Sequence, residues 1–268
     1  MNKKLFALAM GCVLSMSSAY AGFYAGASAG FQSNVQVGGE ETIWEGDLGV
    51  NTHNIHKGYV EGSGAVGSLF LGYEMNNLYS FANVNALLGM EINGEWTNIS
   101  IYEPNSNRMD SLDGSGAFFN NLSYRRLTQT GALGITLHPG LSFANSSKLY
   151  GILGYEAGRF KAVNNSSTQI NELDGGVLVL RSGDLNLHKG RWLNGFRYGL
   201  GLMYPVTAKI GIRAEFSQTE YGKTIKLSGL DAVNSIDVDQ KFKPKSRIAS
   251  IGLVWNFDEV AAPKAYVK

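Results

Sequence analysis

Six charged side chains recur where polar residues alternate with apolar ones: Glu91, Arg126, Glu156, Arg197, Arg213 and Glu215. Arg213 and Glu215 are two apart, so on an extended chain they point to the same side. Facing one another in a confined interior, such guanidinium and carboxylate groups form an ion-pair network, because an unpaired buried charge is costly. Lining an open passage, they would form an ion pathway. The four histidines, His53, His56, His138 and His188, complete no recognisable metal motif. His53 and His56 are three apart, but neither a carboxylate nor a third ligand joins them. His188 shares a polar stretch with Ser182 and Asp184, the residue types a lipid- or peptide-cleaving hydrolase would use. Their positions impose no fixed geometry. The reading is therefore non-enzymatic, with no catalytic, cofactor or metal site.

The elements that must position the charges are β-strands. Period-two alternation, the mark of a strand with two unlike faces, runs through eight segments: 23–35, 65–73, 79–93, 122–138, 149–160, 193–204, 209–221 and 247–257. In the sixth, Phe196, Tyr198, Leu200, Leu202 and Tyr204 alternate with Gly195, Arg197, Gly199 and Gly201. The chain has 34 glycines in 268 residues and only five prolines. That glycine content is roughly twice the usual share and suits many strands in close contact.

The connections sort by length. Short ones (74–78, 139–147, 205–208) alternate with long ones (37–62, 94–121, 161–193, 222–244). A soluble sandwich has no reason to sort its loops by side, whereas a transmembrane barrel has short periplasmic turns and long extracellular loops. In such a barrel the apolar face meets lipid and the polar face lines the lumen, the reverse of a soluble barrel. The expected fold is all-β: an eight-stranded antiparallel up-and-down transmembrane β-barrel with four long extracellular loops. Closure pairs every backbone group without disulfides. Eight strands leave an interior just wide enough for its own side chains, so a plugged lumen with paired charges is expected. The alternative is a narrow porin-like channel for small ions or solutes; a lipid A-modifying enzyme is a more distant one. Aromatics at strand ends suggest two interfacial girdles: Tyr73, Tyr79, Phe81, Tyr204, Trp255 and Phe257 on the short-turn side, and Trp96, Phe160, Trp192 and Tyr221 on the other.

The N-terminus explains how such a chain would reach its membrane. Lys3 and Lys4 precede an apolar run, Leu5 to Leu14, and then Ala19-Tyr20-Ala21. This is the layout of a secretory signal with an A-x-A cleavage site formed by Ala19 and Ala21. The expected division is a signal peptide over 1–21, a barrel over 22–257 and a short periplasmic tail over 258–268. Removing Lys3 and Lys4 takes the basic count from 23 to 21 against 22 acidic residues, a near-neutral balance that argues against a nucleic-acid partner. The single cysteine, Cys12, lies inside the signal.

The segments Tyr150-Gly151-Ile152-Leu153-Gly154-Tyr155, Phe196-Arg197-Tyr198-Gly199-Leu200-Gly201 and Ile212-Arg213-Ala214-Glu215-Phe216 resemble the small eight-stranded outer-membrane barrels. That family includes opacity-type surface proteins and the barrel domains of OmpA-like proteins. The ending Ser250-x-Gly252-x-x-Trp255-x-Phe257 is similar to the C-terminal signal read by the barrel-assembly machinery. The resemblance implies the bacterial outer membrane, with its lipid and lipopolysaccharide as surroundings. It also implies envelope structure and surface interaction or adhesion, with host-surface or envelope ligands met through the loops. The tail departs from the pattern, since the family's usual last residue is the aromatic one.

Overall fold

The computed structural model describes residues 21–45, 51–81, 84–110, 118–174, 177–231 and 236–257. The expected signal peptide, Ala19 included, and the tail over 258–268 lie outside them; Ala21 opens the first strand. The strands are β1 (Ala21–Glu45), β2 (Asn51–Phe81), β3 (Val84–Asp110), β4 (Phe118–Phe143), β5 (Lys148–Asp174), β6 (Val177–Pro205), β7 (Ile210–Tyr221), β8 (Ile225–Asp231) and β9 (Ile236–Asn256). Neighbours in sequence pair antiparallel as far as β7, which pairs with β9, and β9 closes the ring on β1. β8 continues the line of β7 along the same partner, after a break at Gly222–Thr224. The wall thus has eight staves, with β7 and β8 sharing one.

The register fixes the barrel's shape. Paired partners followed round the ring run Phe23, Tyr73, Met90, Leu137, Leu153, Tyr198, Gln218, Arg247 and back to β1 at Ser33, ten residues higher. Eight staves with a stagger of ten give strands tilted by about 40° and a wall radius of about 8 Å. Side chains alone fill a tube of that size.

Burial follows the alternation, inside out. Large apolar residues such as Leu69, Ile92, Leu133, Leu200 and Ile251 are exposed on the outer face, the last two at 65% and 66%. The inner face buries Glu91, Asn93, Thr136, Glu156, Arg197, Arg213 and Thr219. Water would not tolerate a continuous apolar belt of this kind, and lipid favours it. Tyr79, Phe81, Tyr204, Trp255 and Phe257 rim the belt at the short-turn end, and Trp96 and Trp192 at the other. Phe160 and Tyr221 correct the girdle expectation. Both face inward, 1% exposed, as an edge-to-face pair with ring centroids 4.9 Å apart.

Inward glycines make room for lumen aromatics. A Cβ on Gly72 would lie 2.2 Å from the Tyr24 ring, and one on Gly201 2.4 Å from the Tyr150 ring. Such overpacking typically costs about 1–3 kcal/mol. Gly72→Ala and Gly201→Ala are each expected to lower stability by that amount, read from urea unfolding of the lipid-inserted protein. Wild-type stability in both would mean that the two rings do not hold these positions.

The short connections rest on local bonds. Asn145 Oδ1 accepts from Ser147 N at 3.1 Å beside Ser146, whose φ is 60°. Thr207 Oγ1 accepts from Ile210 N at 3.0 Å. The expected turn at 74–78 is instead an irregularity in the ladder between Met75 and Tyr79, with Asn77 at φ 65°. Asparagine tolerates that left-handed backbone better than most residues. Pairing then continues to Phe81↔Val84. The four long connections are largely paired as well: β1 and β2 to Trp44↔Asn51, β3 and β4 to Asp110↔Phe118, β5 and β6 to Asp174↔Val177, and β8 and β9 to Asp231↔Ile236. Beyond the hydrocarbon no lipid face demands an apolar stripe, so backbone pairing continues there without the alternation that marks the wall.

Candidate functional site

The inward positions of β5 show how the lumen is built. From the short-turn end they run Lys148, Tyr150, Ile152, Gly154, Glu156, Gly158, Phe160 and Ala162. Above Lys148, apolar residues thus come first, then charge, then apolar residues again. β3 and β6 repeat the order. Tyr24, Phe70, Leu87, Tyr150, Ile152, Met203 and Val254 form a lower apolar layer. Ile101, Leu127, Phe160, Ala162, Leu193, Tyr221, Ile225 and Leu227 form an upper one.

Between them lie two linked charge clusters. Arg197 Nη1 bonds Glu95 and reaches Glu156 Oε2 at 3.2 Å, while its Nε donates to Ser217 Oγ at 3.1 Å. Arg213 Nη1 donates to Glu91 Oε2 at 2.6 Å, and its Nη2 lies 3.2 Å from Glu215 Oε2. The Arg213 guanidinium also sits 3.3 Å above the Phe70 ring centroid, tying the charge layer to the lower apolar one. Four carboxylates face two guanidinium groups here. Phenols supply the missing donors: Tyr24 OH donates to Glu91 at 3.2 Å, Tyr150 OH to Glu215 at 2.8 Å, and Tyr221 OH to Glu156. Thr219 Oγ1 adds a 2.9 Å bond to Glu156 Oε2. Above this layer, Gln32 Nε2 lies 2.8 Å from each of Asn34 Oδ1, Gln129 Oε1 and Ser246 Oγ, which share its two hydrogens. A small polar cavity remains between Ser28, Glu91, Asn93, Glu95, His138 and Glu215. Near the periplasmic end Lys148 pairs with Glu74.

The structure brings five of the six expected charges together: Glu91, Glu156, Arg197, Arg213 and Glu215. Arg126 is the exception. β4 carries a bulge at Thr130, between Gln129↔Phe160 and Gly131↔Arg159. The extra residue reverses the parity above it. Arg125, 3% exposed, therefore faces in with Leu127 and Gln129, and Arg126 takes the outer side. Reading the residues missed Glu95, which bonds Arg197. Its signal was present, because Glu95 shares the parity of Glu91 and Asn93 and needed only two more residues of alternation.

His138 faces into the lower lumen, stacked on Tyr150 with ring centroids 5.0 Å apart and bonded to Thr136 at 3.0 Å. His188 is exposed on β6. The side chains of His53, His56, Ser182 and Asp184 lie outside the described residues. Among the described residues no group of three potential ligands could hold a metal ion. Of the C-terminal pattern, Ser250 lines the cavity, Gly252 faces in, and Trp255 and Phe257 face out. Phe257 N donates to Phe23 O at 3.0 Å, fastening the last stave to the first.

The family model for the outer membrane protein beta-barrel domain matches residues 5–257. No curated protein matches the chain in sequence. Similar solved structures include OprG from Pseudomonas aeruginosa, 15% identical over 88% of this chain and 96% of that one, with a TM-score of 0.41. The attachment invasion locus protein Ail of Yersinia pestis is 14% identical over 87% and 98%, with a TM-score of 0.28. Neisserial surface protein A is 13% identical over 88% and 99%, also at 0.28. The chain belongs to the outer-membrane β-barrel domain family, and it sits in the bacterial outer membrane with its apolar outer face in lipid.

Proposed function

We propose that this protein is a closed scaffold that presents β-ribbons at the cell surface for contact with host-surface or envelope ligands. The observation that carries the reading is the division of the molecule at the upper apolar layer. Below it the lumen is filled by side chains, which leaves little to a transported solute. Above it the staves continue as paired ribbon. From Val163↔His188 to Asp174↔Val177, β5 and β6 run on by twelve residues each, about 40 Å of ladder at ~3.3 Å per residue. A rigid base with projecting connections is the usual arrangement for recognition. The lumen charges hold the wall together, and Ser250, Gly252, Trp255 and Phe257 on the closing stave serve barrel assembly.

Replacing the ribbons one at a time by a short turn, at residues 38–58, 104–124, 164–187 or 228–239, tests the reading. At least one replacement is expected to lower the adherence of producing cells to a panel of host and matrix surfaces several-fold while the barrel still inserts. Unchanged adherence across all four, in cells that adhere only when they make this protein, would contradict it.

A further inference from the structure

Among the side chains described at the upper margin of the apolar belt, the positive charge of the outer face gathers on one side of the barrel. At the upper margin of the apolar belt β9 presents Lys243, Lys245 and Arg247 at every second position, β5 presents Arg159 and Lys161, and β8 presents Lys226. Each alternates with buried inward neighbours, so all six point away from the lumen. One carboxylate opposes them among the side chains described at this height on these staves: Glu220, which accepts from Lys245 Nζ at 3.0 Å and from Tyr198 OH at 3.2 Å. Arg247 Nε donates to Gln218 Oε1 at 3.0 Å, so part of the patch is already ordered. On β1 to β3 the outward residues at this level include Ser33, Glu61 and Asn98, with no cation among the side chains described.

Height is set by the ladder. Ser33↔Arg247 is one outward step above Phe31↔Ala249, and Arg159 pairs directly with the interfacial Trp192. The cations begin where the apolar belt ends, at the level of lipid headgroups. An outward arginine is costly at the bilayer midplane and tolerated at the interface. Clustered cations there attract anionic headgroups, and a guanidinium fork matches a phosphate.

We propose that this half-collar binds the phosphates of lipid A, the phosphorylated glycolipid that anchors lipopolysaccharide in the outer leaflet. It would fix one side of the barrel against that lipid and leave the β1–β3 side free. The full protein, in nanodiscs of zwitterionic phosphatidylcholine, is titrated with bisphosphorylated lipid A, with dephosphorylated lipid A and with inorganic phosphate. The phosphorylated lipid is expected to bind at least tenfold more tightly than the dephosphorylated one, less so as salt rises, with no competition from inorganic phosphate at equal concentration. Lys245→Gln with Arg247→Gln, and separately Arg159→Gln with Lys161→Gln, should each weaken lipid A binding about tenfold. Glu61→Gln on the opposite side should leave it unchanged. Equal binding of the two lipid forms by the unaltered protein would overturn the proposal. So would full affinity in both double variants, or displacement of lipid A by inorganic phosphate.

Discussion

Replacing Arg197 by alanine is expected to destabilise the barrel by about 3–5 kcal/mol, the usual cost of removing one partner from a buried ion pair. Glu156 is fully buried and Glu95 nearly so, and Arg197 is the cation within bonding reach of both. Without it two carboxylates share a low-dielectric interior, with Tyr221 and Thr219 as donors to Glu156 alone. The pair need not stabilise the barrel relative to an apolar core of the same shape; the loss comes from leaving charge uncompensated. A triple variant, Arg197→Met with Glu95→Gln and Glu156→Gln, should therefore recover most of the deficit. Urea unfolding from lipid vesicles reads both. A loss under about 1 kcal/mol for Arg197→Ala would match an exposed pair and mean that the lumen is well hydrated.

The second large effect lies on the other face. Leu200→Arg, at mid-height on β6, should cost about 2–4 kcal/mol, the figure for a cation on the lipid face at the midplane. In a soluble protein an exposed leucine replaced in this way would usually change stability by no more than about 0.5 kcal/mol. Asn98→Arg, exposed two residues above the interfacial Trp96, is the matched control and should be nearly silent. Equal, small effects at both sites would place water, not lipid, around the belt.

Those parts of the molecule that touch lipid were the most legible from residues alone. The belt requires apolar side chains at every second position for about ten residues, so strands such as 193–204 declare both their extent and their faces. What the lipid does not touch was harder to read. Arg126 was assigned inward by carrying the alternation through Thr130, and a bulge there leaves no mark in residue type. Phe160 and Tyr221 lie where girdle residues are expected, yet they cap the lumen, because an aromatic ring suits either face of the wall at that height. The ribbons above the belt carry no periodic pattern, since both their faces lie beyond the hydrocarbon. They read as loops although their backbones pair. Glu95 was lost where the alternation of β3 was read only as far as Asn93.

The proposed function requires a lumen closed by apolar layers on both sides of its charges. The most direct test is planar-bilayer recording of the purified full-length protein. The expected record shows no stable conductance steps above the baseline of protein-free bilayers. Reproducible single-channel currents, altered in size or ion preference by Arg197→Ala, would contradict it and make the charge layer the wall of a pore.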